Sequence, residues 1–329
     1  MTLATHVNHA VDYYSKFDAI KSWGLKQLAG GRVPATVFYD DLELPTLNVV
    51  SDNKPFALEI VSHCWQYAHL LRYQLSSIVL YGPNDMDITV TVYYCQSDQA
   101  TVDTLAYFAS FDQPNICWNW QCLPKEYLFR RSIGRNHAAL NTKADWIWFT
   151  DCDSIFYQNC FSSLRQQLRH ELSPLVFPLI EHRSRPLPTE HRLLSFTARN
   201  VSLVDIEPKD FIATAISRAT GPLQIVHGDV ARKLGYCQQT TIYQKPAKHW
   251  CKALEDRVFR WLLGTQGMGL PIEGVYRIQH QEKGRYTKGS AWSWLRNRAQ
   301  AFNNIVWQGK PNKPAQSTLS GQSSNTRHD

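Results

Sequence analysis

Two carboxylates one residue apart, Asp151 and Asp153, close the apolar run Trp146-Ile147-Trp148-Phe149-Thr150. Side chains just past an apolar strand can point into one crevice. Oxygen donors so placed suit Mg²⁺ or Mn²⁺, which in turn bridge phosphates. Acids also follow strands simply as turn formers, so the pair alone leaves both readings open. A second candidate is the stretch 281–294, with Lys283, Arg285 and Lys288 beside Gly284 and Gly289. Cations on a glycine-containing loop can hold an anion by charge-assisted bonds and close over it. Trp292 and Trp294 come next. They can cover a bound ligand or pack in the core.

The elements that position these residues read as alternating strands and helices. LEIVSHC, DITVTVYYC, NICWNWQCL and ADWIWFTDCD are strand-like runs, separated by helical stretches near 67–81, 101–110 and 125–142. Such alternation predicts an α/β fold with a mostly parallel central sheet flanked by helices. Sheets of this kind bind ligands beyond the carboxyl ends of their strands, where Asp151 and Asp153 fall. LVFPLI, PLQIV and VYRIQH predict later strands, and 248–263 predicts a helix. Trp118, Trp120, Trp146 and Trp148 alternate on strands and are expected mostly in the core. Ahead of the alternation, 5–29 predicts an amphipathic helix with Val7, Val11, Tyr14, Phe17, Ile20 and Leu25 on one face, ended by Gly30-Gly31. The expected organisation is a helical N-terminal extension over 1–55, one catalytic domain over 56–308 and a disordered tail over 309–329.

The chain has 329 residues, 43% hydrophobic and 19% charged, which excludes disordered, collagen-like and disulfide-dense classes. Its formal net charge of +7 suits an anionic partner without selecting one. The eight cysteines form no C-x-x-C pair and read as reduced thiols rather than a zinc cluster. No run is long and apolar enough to span a bilayer, and the start lacks a signal-peptide pattern. The expected location is cytoplasmic, with peripheral membrane contact left open.

From Arg131-Ser132-Ile133-Gly134-Arg135-Asn136 to Asp151-Cys152-Asp153 the chain resembles the GT-A glycosyltransferases, in particular the family of cellulose, chitin and hyaluronan synthases. That family carries G-x-x-x-A-R-N-x-G before a strand ending in D-x-D. Gly221 and the strand after it resemble the family's acceptor strand, and Glu255-Asp256 resembles its E-D motif. The resemblance implies a GT-A fold and a Mn²⁺ or Mg²⁺ cofactor held by Asp151, Asp153 and His280. It implies donor contacts from Asp98, Arg131, Arg135, Asn136, Asp151, Lys283 and Arg285. Gly221 and Trp292 would meet the acceptor. Asp256, paired with Glu255, would take the proton from the acceptor hydroxyl, as a carboxylate within hydrogen-bond reach can. Cys95 and Gln96 stand where the family places its base-contacting Asp, so the resemblance says least about the nucleotide.

The expected reaction is metal-dependent transfer of a sugar from a nucleotide diphosphate sugar to an acceptor hydroxyl, inverting by single displacement. The acceptor would be a glycan, a lipid-linked intermediate or a protein. Two alternatives are weighed. A nucleotidyltransferase of similar fold would show a Gly-rich loop after its first strand, which Ser62-His63-Cys64-Trp65-Gln66 does not. A non-catalytic nucleic-acid-binding protein would cluster its basic residues into a stripe, whereas here they are dispersed, so no nucleic-acid partner is expected.

Overall fold

The computed structural model describes residues 11–30, 33–51, 54–188, 190–195, 201–250 and 254–280. In chain order its elements begin with α1 (Lys16–Leu28), β1 (Phe56–His63), α2 (Ala68–Tyr81), β2 (Met86–Tyr94), α3 (Gln99–Ala109) and β3 (Ile116–Cys122). Next come α4 (Lys125–Leu128), α5 (Arg131–Asn141), β4 (Trp146–Phe149), β5 (Ser154–Phe156), α6 (Cys160–Leu168), β6 (Leu175–Pro178) and β7 (Ile180–Ser184). The series closes with β8 (Phe211–Ala215), β9 (Gln224–His227), α7 (Gly228–Leu234), α8 (Glu255–Leu262), β10 (Met268–Leu270) and β11 (Val275–Arg277).

The protein is α/β, with a central, mostly parallel seven-stranded sheet flanked by helices. Its strand order is β10-β6-β9-β4-β1-β2-β3, and β9 alone runs antiparallel to its neighbours β4 and β6. The strands β1 and β4 are buried along nearly their whole length, and β2 over residues 90–93. That is the expected consequence of helices covering both faces of a parallel sheet. The helices α2 and α3 pack together, as do α5 and α7. Since α2 and α3 carry the chain one way along the sheet and α5 carries it back, right-handed crossovers put them on opposite faces. Trp146 and Trp148 are fully buried, whereas Trp118 and Trp120, on the edge strand β3, are only half-buried and stack on each other.

A second sheet, in the order β5-β11-β7-β8, stands beside the end of β4. The turn Asp151–Ser154 feeds β5, with the Ser154 amide donating to the Asp151 carbonyl at 3.1 Å. Strand β11 pairs with β5 and β7, and a parallel bridge from Leu187 to His280 extends this sheet. The Ile278 amide donates to the Asp153 carbonyl at 3.1 Å, tying the chain before His280 to the acidic turn.

The N-terminal helix differs from the expected one. It starts at Lys16, not near residue 5, because Ser15 and Asp18 form a reciprocal capping box. Its inward face is also different. Asp18 is buried and meets Lys245 at 3.3 Å, Ser22 bonds Tyr243 at 3.2 Å, and Leu25 and Leu28 join the core. Phe17 and Ile20 point outward instead.

Candidate functional site

A cleft of about 690 Å³, open mouth included, lies at the carboxyl ends of β1 and β4. Its walls include His63, Cys64, Trp65 and Tyr67 from the end of β1, Arg131 from α5, Asp151 and Asp153 from the β4 turn, and His280. Parallel register sets this meeting. Val61 stands opposite Phe149 and His63 opposite Tyr93, so three strands end level, and the segments leaving β1 and β4 face the same space. His280 reaches the cleft through the second sheet, where its ring packs edge-on against Tyr67 at 5.2 Å.

Asp151 is tied to cations. Arg131 donates to its Oδ1, and Arg135 Nη2 lies 3.5 Å from the same oxygen. Burial alone would raise this carboxyl, but the charges of Arg131 and Arg135 reverse the effect and hold it well below the usual carboxylate range. Asp151 is therefore ionised throughout the neutral range. The side chains of Arg131 and Asp151 are 31% and 27% exposed, so an incoming anion or cation can reach either one.

Arg135 is nearly inaccessible and turns away from the cleft. Its Nη1 donates to Tyr236 Oη at 2.9 Å, Tyr236 Oη donates to Gln224 Oε1 at 2.8 Å, and Gln224 Nε2 donates to the Asp256 carbonyl at 3.2 Å. A buried polar chain thus runs from the β4 acid to the first turn of α8. Asn136 serves the same region, accepting from the Tyr236 amide at 2.8 Å and donating to Gln238. Asp98 is buried at the N-cap of α3, where it accepts from Thr101 Oγ1 at 2.7 Å and the Gln66 amide at 2.6 Å. It holds the left-handed Gln66 turn that comes after β1, at φ 60°. Of the expected donor residues, Arg131 and Asp151 line the cleft, while Asp98, Arg135 and Asn136 stand behind it.

The E-D pair divides. Asp256 is 30% exposed, with Oδ2 3.6 Å from Arg260 Nη1. A Cβ placed on Gly221 would stand 3.8 Å from the Asp256 Cβ, so the expected acceptor glycine and the expected base do meet. Glu255 is buried, its Oε2 has no hydrogen-bond partner among the described residues, and its charge bears on Arg131. Lys283, Arg285 and Trp292, with the whole expected loop over 281–294, lie outside the described residues.

His63 was not among the expected site residues. It is 8% exposed, stacks on Tyr93 at 4.9 Å, and has both ring nitrogens without a hydrogen-bond partner among the described residues. Burial, then the charges of Arg135 and Arg131, push it well below the usual histidine range, so it is neutral at neutral pH. The available signal was its place at the carboxyl end of a strand in an α/β alternation.

No known family's sequence profile matches the chain, and no curated protein matches it. Among solved structures, the chain is similar to the mannosyltransferase PcManGT from Pyrobaculum calidifontis in complex with GDP-Man and Mn²⁺. The identity is 17% and the TM-score 0.40, over 90% of this chain and 77% of that one. Likeness this distant assigns no chemistry; the cleft's own residues carry it.

Proposed function

We propose that this chain is a metal-dependent glycosyltransferase of the GT-A type, moving a sugar from a nucleotide diphosphate sugar to an acceptor hydroxyl with inversion. The observation that supports it is the meeting of Asp151, Asp153, Arg131 and His280 in one cleft at the carboxyl ends of the central strands. These residues come from distant parts of the chain, and together they offer anionic, cationic and imidazole groups to one ligand.

The donor set fits a divalent ion shared with the substrate. Two carboxylates and an imidazole suit Mn²⁺, and Mg²⁺ less well. Among the described residues no three His, Cys, Asp or Glu side chains are grouped closely enough to hold a metal by themselves. An ion held by Asp153 and His280, with Asp151 beside them, would complete its shell with diphosphate oxygens and water. When bound, the ion offsets the charge that builds on the leaving diphosphate.

The remaining roles belong to the protein. Arg131, partly exposed at the start of α5, binds the diphosphate through charge-assisted hydrogen bonds. Neutral His63 forms part of the cleft wall, with its ring nitrogens buried. Asp256 takes the proton from the acceptor hydroxyl, because its side chain is open to an arriving group beside Gly221. Glu255, buried, contributes negative charge that favours the cationic form of Arg131. Acceptors in keeping with this reading are a glycan, a lipid-linked sugar or a protein.

Asp153→Ala tests the proposal. Nucleotide sugars are screened for Mn²⁺-dependent thermal stabilisation and hydrolysis, and the variant is expected to lose both. Stabilisation and turnover that persist unchanged in the variant, or in the presence of chelator, would remove the metal from the reaction.

A further inference from the structure

Among the described residues, the four most exposed large apolar side chains are Phe17, Ile20, Trp23 and Val37, at 63–66% exposure. Three of them lie on α1. At 100° per residue, Phe17, Ile20 and Trp23 occupy an arc of roughly 120°, a continuous stripe along one helix face. Isolated exposed apolar residues need no explanation, but a Trp-Phe-Ile stripe facing solvent along a well-formed helix does.

The rotation of α1 is fixed, so the stripe cannot turn inward. The opposite face is held by Asp18 to Lys245 and by Ser22 to Tyr243. The flanking chain is held by the Tyr14 amide donating to the Pro246 carbonyl at 2.8 Å and by Arg257 Nε donating to the Ala29 carbonyl at 3.2 Å. Leu25 and Leu28 already fill the core side.

The charges on the helix are one-sided as well. Its only acid, Asp18, is buried against the body of the protein. Lys16 lies within the apolar stripe and Lys21 beside it, both exposed, with Lys21 Nζ 4.8 Å from the centre of the Phe17 ring. Lys26 falls on the other flank. A tryptophan with a phenylalanine and an isoleucine, bordered by lysines, matches the boundary between acyl chains and headgroups. The long lysine stems can lie along the apolar surface while their ammonium groups reach phosphate.

We propose that the outer face of α1 docks the protein onto an anionic lipid bilayer, with Phe17, Ile20 and Trp23 entering the acyl boundary and Lys16 and Lys21 meeting lipid phosphates. A second copy of the chain fits this face less well. A two-fold contact through α1 would bring lysines against lysines, whereas an anionic bilayer supplies the opposite charge.

Co-sedimentation of the full chain with phosphatidylcholine vesicles, with and without phosphatidylglycerol, tests the assignment. Binding is expected with phosphatidylglycerol and is expected to weaken in high salt. The variant Phe17→Ser/Ile20→Ser/Trp23→Ser should bind about tenfold or more weakly, at an unchanged urea midpoint. Lys16→Glu/Lys21→Glu should lose the preference for phosphatidylglycerol. Wild-type protein that ignores both kinds of vesicle, or equal binding by the triple variant, would overturn the proposal. So would a concentration-dependent oligomer in light scattering, lost in the triple variant, from protein that binds no vesicles. Vesicle binding needs neither donor nor metal, so its failure is separable from failure of the glycosyl-transfer reading.

Discussion

Gly134→Ala probes how tightly the floor of the cleft is assembled. In an ordinary helix interior this change stabilises by about 1 kcal/mol, because Gly loses more backbone freedom on folding. At Gly134 the new Cβ would stand 2.2 Å from His63 Nε2 and 2.9 Å from two carbons of the Tyr93 ring. Ordinary contact begins near 3.4 Å, so the imidazole would have to retreat by more than an ångström. It is stacked on Tyr93 and buried at the end of β1, which leaves it no free direction except the cleft. Overpacking of this kind costs about 1–3 kcal/mol, and three close atoms put the cost at the upper end. Net destabilisation of about 2 kcal/mol is expected, more than a tenfold loss in the folding constant. Urea unfolding should show a lower midpoint at unchanged slope. Truncating the obstructing ring should relieve most of the clash. In a His63→Ala background the cost of Gly134→Ala should therefore fall by about 1 kcal/mol or more, a coupling typical of residues in contact. A Gly134→Ala protein as stable as wild type, or a cost unchanged by His63→Ala, would refute the packing argument.

Three further outcomes are expected. Asp256→Asn should keep donor binding and cut transfer by about 10²-fold or more, the scale of a lost general base. Glu255→Gln should weaken donor binding more than the chemical step. Single-turnover assays separate the two, and the reverse pattern would exchange the roles. Acid should destabilise the protein well before its carboxylates protonate. Burial lowers the buried histidines His63 and His227, and it takes half-buried His69 to about 4, with help from the charges of His280 and Arg72. Below 6.5 the unfolded chain then binds protons that the folded chain refuses, so stability falls as pH falls. For His69 alone the loss by pH 5 is about 2 kcal/mol. His227 adds to it, since burial outweighs the Asn48 carbonyl beside Nε2 and the Asp229 carboxylate near Nδ1. Urea midpoints that stay level from pH 7 to pH 5 would contradict this.

Much of the architecture is legible in local patterns. The alternation of β-rich runs and helical stretches announces a parallel sheet, and an apolar run ending in acids marks the edge where ligands bind. Direction and rotation are not written locally. Nothing in Gln-Ile-Val-His tells that β9 runs against its neighbours, and the three-residue strands β5 and β11 are too short to carry a period. The apolar positions of α1 read as a face to be buried, yet Asp18 and Ser22 turn part of it outward through partners more than two hundred residues away. His63 is a lone histidine in a strand until Gly134 and Tyr93 close around it.

The acid at the centre of the site shows the same limit, and it has a consequence for binding. The resemblance assigns Arg131 to the donor and Asp151 to donor and metal, but in the folded chain they satisfy each other. On the proposed function, a diphosphate entering the cleft would have to draw Arg131 away from Asp151, and a cation would have to draw Asp151 away from Arg131. Each ligand alone would leave one partly exposed charge short of its partner, which is costly in a partly desolvated site. Together they would satisfy both charges: a cation held by Asp153 and His280 would offset the charge of Asp151 beside it, and the diphosphate would replace the carboxylate at Arg131. Metal and nucleoside diphosphate should therefore bind cooperatively, and linkage requires each to strengthen the other by the same factor. Calorimetric titration of Mn²⁺ with and without a nucleoside diphosphate measures that factor, which is expected to be about tenfold or more, in the usual range of such couplings. Asp151→Asn weakens the competing ion pair, so it should improve diphosphate binding in the absence of metal while reducing the coupling. A variant that loses metal-free diphosphate binding would show that Asp151 attracts the donor directly, and that its pairing with Arg131 does not compete.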